Sequence, residues 1–311
     1  MSLQVVIGYG PAGAATARLL AEQGHSVRVV TRSGRPPEPG IEHVAADAAD
    51  SARLAEVARG AVAMYGCAAP PYHRWAAEWP QLAASMGAAA EATGAVLVVL
   101  GNLYGYGPVD RPLTEDLPLA ATGPKGRARA AAWEQVHKLH EDGRIRAVEV
   151  RASDFFGPGV TDGGHLASRV VPRLLRGKSV SVLGDPDAPH SWTYLPDVAR
   201  ALVEAAGAEQ AWGRAWHVPT APAQSVREMT GRLAAEAGTG PVAVRRLPQA
   251  VLGAASLFSP LIRELREIRY QFDRPFVVDS SAYESAFAVH ATPVEEQVGA
   301  TVTWWRERQQ A

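Results

Sequence analysis

Cysteine is almost absent: Cys67 stands alone, so no internal disulfide framework holds this chain together. Lysine is nearly as scarce. Only Lys125, Lys138 and Lys178 occur among 31 basic residues, so arginine supplies most of the positive charge and each lysine draws notice. An imbalance of charge is missing too. A formal net charge of −1 gives no electrostatic drive toward nucleic acid or an anionic membrane, and a small-molecule substrate is the expected partner. No apolar run approaches the roughly 20 residues of a membrane span. The opening MSLQVVIGYG has no basic segment leading into an apolar signal core, so a soluble cytoplasmic protein is expected. Histidine, cysteine and carboxylate spacings suggest no metal.

What is present is a chain of 311 residues, 47% hydrophobic and 20% charged, large enough to bury a substantial core. Short apolar runs alternate with longer, alanine-rich ones. QVVI, SVRVVT, IEHVA, AVAMY, AVLVVL and RAVEV read as six strands. PAGAATARLLAEQG reads as a helix ending at Gly24, SARLAEVARG as one capped by Asp50, and Pro80 to Thr93 as a further crossover. The alternation predicts an α/β fold: a Rossmann-type, doubly wound parallel sheet with helices on both faces. Beyond Val150, glycine and proline crowd the loops FFGPGVTDGG and LGDPDAPHSW. LREIRYQFDRPFVVD then reads as a helix with a strand, and PVEEQVGATVTWWRERQ as a closing helix. The division expected is a dinucleotide-binding domain over residues 1–175, with a return segment near 191–220, and a smaller substrate lobe over 176–311.

VIGYGPAG, directly after the first strand, holds Gly8, Gly10 and Gly13 in GxGxxG spacing. The first glycine permits the tight turn, the second lets the backbone approach a pyrophosphate, and the third lets helix and strand pack closely. The loop Gly8, Tyr9, Gly10, Pro11, Ala12, Gly13 is therefore read as cofactor-binding. At the end of the second strand, where an acid would accept both ribose hydroxyls of NAD, stand Thr31, Arg32 and Ser33. A guanidinium there suits a 2′-phosphate, which favours NADP with NAD as the alternative; a solvated loop arginine is the structural reading.

With these motifs in order, the chain resembles the extended short-chain dehydrogenase/reductase family, the NAD-dependent epimerase/dehydratases, over nearly its whole length. Asp47 in VAADAAD resembles the family's adenine-contacting acid, and Ala68 and Ala69 in AMYGCAAPP the segment along the cofactor ribose. NLYGYGP and PLTEDLP resemble its Tyr-Gly and Pro-x-x-Glu-Asp patterns. RASDFFGPG resembles the segment near nicotinamide, which brings Ala152, Asp154 and Phe155 into the cofactor set, and HSWTYLPDVARAL resembles the return segment with Asp197. The resemblance also implies a homodimer, paired through helices spanning Leu82 to Thr93 and Ala128 to Leu139.

Members of that family use a tyrosine to pass the proton, a lysine four residues later, and a serine or threonine on the carbonyl. This chain contains no Tyr-x-x-x-Lys. PKGRAR puts Lys125 at the tyrosine position and Arg129 at the lysine position, while Leu100 falls where the serine is usual, with Asn102 two residues on. Arg129 can hold ribose hydroxyls but cannot transfer protons at neutral pH. Lys125 and Tyr104 are the candidate acids, and Asn102 a candidate donor to a carbonyl oxygen. Each has a structural alternative: helix capping for Lys125, packing for Tyr104. Tyr106, His73 and His190 are weaker substrate candidates, and Trp75 with Trp79 reads as a buried helix face. Three functions stay open: an NADP-dependent oxidoreductase with a nonstandard proton donor, a nucleotide-sugar epimerase or dehydratase, and a cofactor-binding or sensor protein that has lost catalysis.

Overall fold

The computed structural model describes residues 1–36, 38–161, 163–248 and 260–310. The chain divides into two compact units: residues 1–107, 118–152 and 198–218 form one, and residues 108–117, 153–197 and 219–311 the other.

The first unit is built on a seven-stranded, wholly parallel sheet. Its strands are β1 (Leu3–Ile7), β2 (Ser26–Thr31), β3 (Ile41–Ala45), β4 (Ala61–Gly66), β5 (Val96–Asn102), β6 (Ala147–Ala152) and, later in the chain, Ala215–His217. The order runs from the late strand through β6, β5, β4 and β1 to β2 and β3, so the winding reverses between β1 and β4. That reversal opens a crevice at the carboxyl ends of the strands, where ligands of such sheets bind. The connecting helices are α1 (Pro11–Glu22), α2 (Ser51–Val57), α3 (Trp75–Thr93) and α4 (Pro124–Glu141).

Sequence explains these elements locally. Pro11 at the first position fixes the backbone angle for α1, and Gly24, at φ +79°, turns the chain out of it. Asp50 caps α2 by accepting from Arg53 N–H at 3.0 Å. Val5 and Ile7 join α2, α3 and α4 in one apolar cluster, while Val6, equally buried, points to the face that α1 covers. The crossover expected from Pro80 starts instead at Trp75. Trp75 and Trp79 are both buried in that cluster, and their burial carries the helix through Pro80 although proline supplies no N–H.

In the second unit, Asp154–Phe156 pairs in parallel with Trp192–Tyr194, and Val180–Val182 with Val244–Arg246. A helix over Val226–Glu236 begins with a reciprocal capping box between Ser225 and Glu228. The closing helix spans Val294–Gln310, ahead of which Asp197 accepts from both the Thr292 amide at 2.9 Å and its hydroxyl at 2.6 Å. The expected strand at PFVVD is reduced to single bridges, Leu113 with Val278 and His190 with Phe276, because the segment meets a different neighbour at each. Asp162, within the expected loop FFGPGVTDGG, lies outside the described residues.

Candidate active site

Three glycines turn the chain from β1 into α1, and each is explained differently. Gly8 sits at φ +95°, and a Cβ there would stand 2.7 Å from the Ala68 backbone, so this glycine lets β1 and β4 leave the sheet side by side. On Gly13 a Cβ would meet the Gly8 carbonyl oxygen at 2.1 Å, so its absence lets α1 dock on its own strand. Gly10 is the contrast: a Cβ there meets nothing within 4 Å, and its backbone is extended. Nothing among the described residues requires this glycine. It leaves bare backbone at the helix N-terminus facing open space, which suits the approach of a dinucleotide pyrophosphate. Cys67, beside Ala68, packs against this turn, and burial pushes its thiol up to about 12, so it supplies no thiolate at neutral pH.

At the carboxyl end of β2, Arg32 and Ser33 are exposed, and the buried Thr31 hydroxyl has no hydrogen-bond partner. Asp47, past β3, accepts from the Ala49 amide at 3.0 Å and is otherwise exposed. Tyr9 is held by a group that sequence reading missed: its hydroxyl donates to Glu38 Oε1 at 2.6 Å, and Arg18 and Arg35 lie 5.9 and 5.2 Å from its ring centre. Desolvation, with the Glu38 hydrogen bond behind it, pushes the Tyr9 phenol up to about 12. The Tyr9 hydrogen bond in turn holds the Glu38 carboxyl below the usual range.

The catalytic candidates gather where α4 begins. A Cβ on Gly126 would stand 2.5 Å from the Tyr104 carbonyl oxygen and 2.3 Å from Ala121 Cβ. Glycine here lets the first turn of α4 lie directly on the backbone of the Tyr104–Tyr106 turn, and this close approach brings Lys125 to the aromatic groups beyond β5. Lys125 is 3% exposed, with Nζ 4.8 Å from the centre of the Tyr72 ring. The Tyr72 hydroxyl donates to the Tyr104 hydroxyl at 3.5 Å, and Trp75 packs against both rings. Asn102 ends β5, and its carboxamide oxygen accepts from the Tyr104 amide at 3.2 Å, so the amide nitrogen is the end turned to other uses. Lys125, Tyr104 and Asn102 are thus brought together, with Tyr72 as an unforeseen fourth member. In PPYHRWAAEWP the sequence singles out Trp75, Trp79 and His73 but not this tyrosine.

Arg129 points elsewhere. Its guanidinium donates to the Leu100 carbonyl at 2.7 Å, lies 3.7 Å from Glu149 and stacks 4.1 Å over Trp79. Burial lowers its pKa to about 10, with Glu149 opposing the shift, so it remains a cation at neutral pH. A buried carboxylate and an indole face draw it inward, and it anchors α4 to the sheet. Tyr106 also departs from expectation. It is 2% exposed, accepts from Arg151 at 2.5 Å and stands 2.8 Å from His217 Nε2, so it belongs to an interior network completed by Glu149 and Arg151 at 2.6 Å. Gly101 makes room for this network, since a Cβ there would stand 2.6 Å from the Glu149 carboxylate. His73 is exposed in a short turn ahead of α3, and Ala152 is buried at the end of β6.

In the second unit, His190 is 3% exposed and stacks with Phe272 and Phe276; its Nδ1 stands 3.0 Å from the Gln271 carbonyl and its Nε2 2.7 Å from Asp154. Both ring nitrogens are committed, so His190 bridges segments of this unit, with Asp154 as its partner. Phe155 is half-buried in the same strand. Among the described residues no group of three histidine, cysteine or carboxylate side chains is placed to hold a metal, and no helix is long and apolar enough to cross a membrane.

Comparison with known proteins extends these observations. Solved structures match over the full chain: Bordetella bronchiseptica WbmH in complex with NAD+ (22% identity, 99% of each chain, TM-score 0.73) and Bacillus anthracis dTDP-glucose 4,6-dehydratase with NAD (15% identity, 100% of this chain and 98% of that one, TM-score 0.81). UDP-glucuronic acid 4-epimerase from Bacillus cereus, also with NAD, matches at 14% identity over 98% of this chain and 99% of that one, TM-score 0.80. No curated protein sequence gives a significant match. At such identities the structures establish the Rossmann-type fold. The model of the NAD dependent epimerase/dehydratase family matches residues 5–218, more than half of the sequence and some part of every strand of the parallel sheet, and the chain belongs to that family.

Proposed function

We propose that the protein is an NADP-dependent oxidoreductase that acts on a small carbonyl or alcohol, or a sugar-like substrate, with Lys125 in place of the usual tyrosine. The single observation that carries this reading is the burial of Lys125 over the Tyr72 ring, in one cluster with Tyr104 and Asn102. When bound, the dinucleotide supplies or accepts the hydride. The side chains here supply the rest. A carbonyl oxygen that gains negative charge needs a proton and a fixed positive field, and a lysine ammonium brings both. Tyr72 and Tyr104 orient that ammonium and carry an alternative hydroxyl donor, while Asn102 offers an amide N–H to the same oxygen. Arg32 and the arginines around Tyr9 favour a 2′-phosphate, hence NADP over NAD.

A second reading has support from the comparisons. The similar structures include a nucleotide-sugar dehydratase and an epimerase holding NAD, which suggests a reaction that oxidises and re-reduces one sugar with no net cofactor turnover. Absorbance at 340 nm with a panel of carbonyl substrates separates the two. Net loss of NADPH is expected; a sugar converted with no absorbance change supports the second reading, and cofactor binding without conversion of any substrate makes the protein a sensor.

A further inference from the structure

Around Tyr9 lies a group of charges of which the cofactor reading uses only the arginines. Tyr9 stands between Gly8 and Gly10, in the turn whose open side suits a dinucleotide. Arg18 and Arg35 flank its ring, and Arg32 is exposed at the end of β2. Against these three guanidiniums stands one carboxylate. Glu38 reaches back to Tyr9 at 2.6 Å and to Arg18 at 3.4 Å, and its backbone bridges to Ile41 at the start of β3. His43, whose side chain is 1% exposed, makes no hydrogen bond from either ring nitrogen and lies with Nε2 3.5 Å from Glu38 Oε1, and at the end of β2 the buried Thr31 hydroxyl makes no hydrogen bond. One carboxylate thus faces Tyr9, Arg18 and His43 together, and the guanidiniums it leaves uncompensated suit an anionic, oxygen-rich ligand.

We infer that Glu38 is the internal counter-ion of a 2′-phosphate subsite: its carboxylate holds Arg18 and Tyr9 while that subsite is empty, competes with the phosphate for them, and so sets how strongly NADP is preferred over NAD. This rests on the NADP reading above, and adds a residue that opposes the preference. A dianionic phosphate draws Arg18 away from Glu38 and faces Arg32 and Arg35, while repulsion between phosphate and the retained carboxylate limits the gain. A ribose 2′-hydroxyl provokes no such exchange.

The test is calorimetric titration of the whole protein with 2′,5′-ADP and with 5′-AMP. Glu38→Gln keeps an oxygen for the Tyr9 hydroxyl and removes only the charge. It is expected to tighten 2′,5′-ADP by about tenfold and to leave 5′-AMP within about twofold. Arg18→Gln, which removes the contested cation, is expected to weaken 2′,5′-ADP and to erase most of the gain when combined with Glu38→Gln. Unchanged 2′,5′-ADP binding in Glu38→Gln overturns the inference, as does an equal shift for both probes or failure of 2′,5′-ADP to bind. A wild-type protein that binds 5′-AMP more tightly than 2′,5′-ADP contradicts the NADP reading instead, and the effect of Glu38→Gln on the ratio is still measured.

Discussion

Gly10→Ala and Gly13→Ala add the same methyl group to the same turn, and the structure predicts opposite consequences. At Gly13 the new carbon stands 2.1 Å from the Gly8 carbonyl oxygen and 3.0 Å from its carbon. To reach ordinary contact, α1 must move off β1 by about 1 Å, and such overpacking typically costs about 1–3 kcal/mol. A loss of that size lowers the melting temperature of a protein this large by several degrees, on the order of 2–4 °C per kcal/mol. At Gly10 the methyl meets nothing, and φ −74°, ψ −174° is a backbone that alanine adopts freely. The smaller entropy of the unfolded alanine chain offsets the weaker helix cap, so stability should stay within about 0.5 kcal/mol. That methyl does project where the pyrophosphate is expected. Titration should therefore show NADPH binding to Gly10→Ala weakened at least tenfold, about 1.4 kcal/mol, beside an unshifted thermal melt. Wild-type affinity in Gly10→Ala refutes the placement of the pyrophosphate, and a Gly13→Ala protein as stable as wild type refutes the packing argument.

Arg32→Asp should weaken NADP binding far more than NAD binding, since it places a carboxylate against the 2′-phosphate and offers one to the 2′-hydroxyl; equal losses in parallel titrations contradict the assignment. Acid stability should turn on His165 in the second unit, where burial pushes the imidazole down to about 4, against the attraction of Asp154 and with some repulsion from His190. Because the unfolded chain takes up that proton near the ordinary 6.5, this stability is complete above pH 6.5 and is lost as pH falls toward 4, up to about 3 kcal/mol. His165→Phe, stacked on Phe272 as the imidazole is at 4.6 Å, should flatten that part of the denaturation profile, and an unchanged slope between pH 7 and 4.5 counts against it.

The parallel sheet was legible because its strands and helices are written in local periodicity. Gly8, Gly10 and Gly13 announced the crevice because a short motif encodes its own geometry. The cluster around Lys125 was half legible: alignment with the family pattern singled out Lys125, and Tyr104 stood beside β5, but Tyr72 joins them from a loop more than fifty residues before α4. Glu38 left no local mark, because a loop carboxylate is characterised only by the Tyr9 and Arg18 it meets in space. Arg129 and Tyr106 have surroundings that left no local mark, for a similar reason. Their direction is set by Glu149 and Arg151 on β6 and by His217 on the late edge strand, partners that no spacing near Arg129 or Tyr106 reveals. His190 sits in a glycine- and proline-rich loop that suggested exposure, yet aromatic residues from the segment near residue 272 enclose it.

The most direct measurement pairs NADPH binding with NADPH oxidation in wild type and in Lys125→Met, using a carbonyl substrate that the wild-type protein turns over. The methionine keeps much of the side-chain volume over Tyr72 and removes the charge and the proton. The account predicts cofactor affinity within a few-fold of wild type and turnover lower by about 10²–10⁴-fold, the usual contribution of a positioned acid. Turnover by Lys125→Met at the wild-type rate contradicts it.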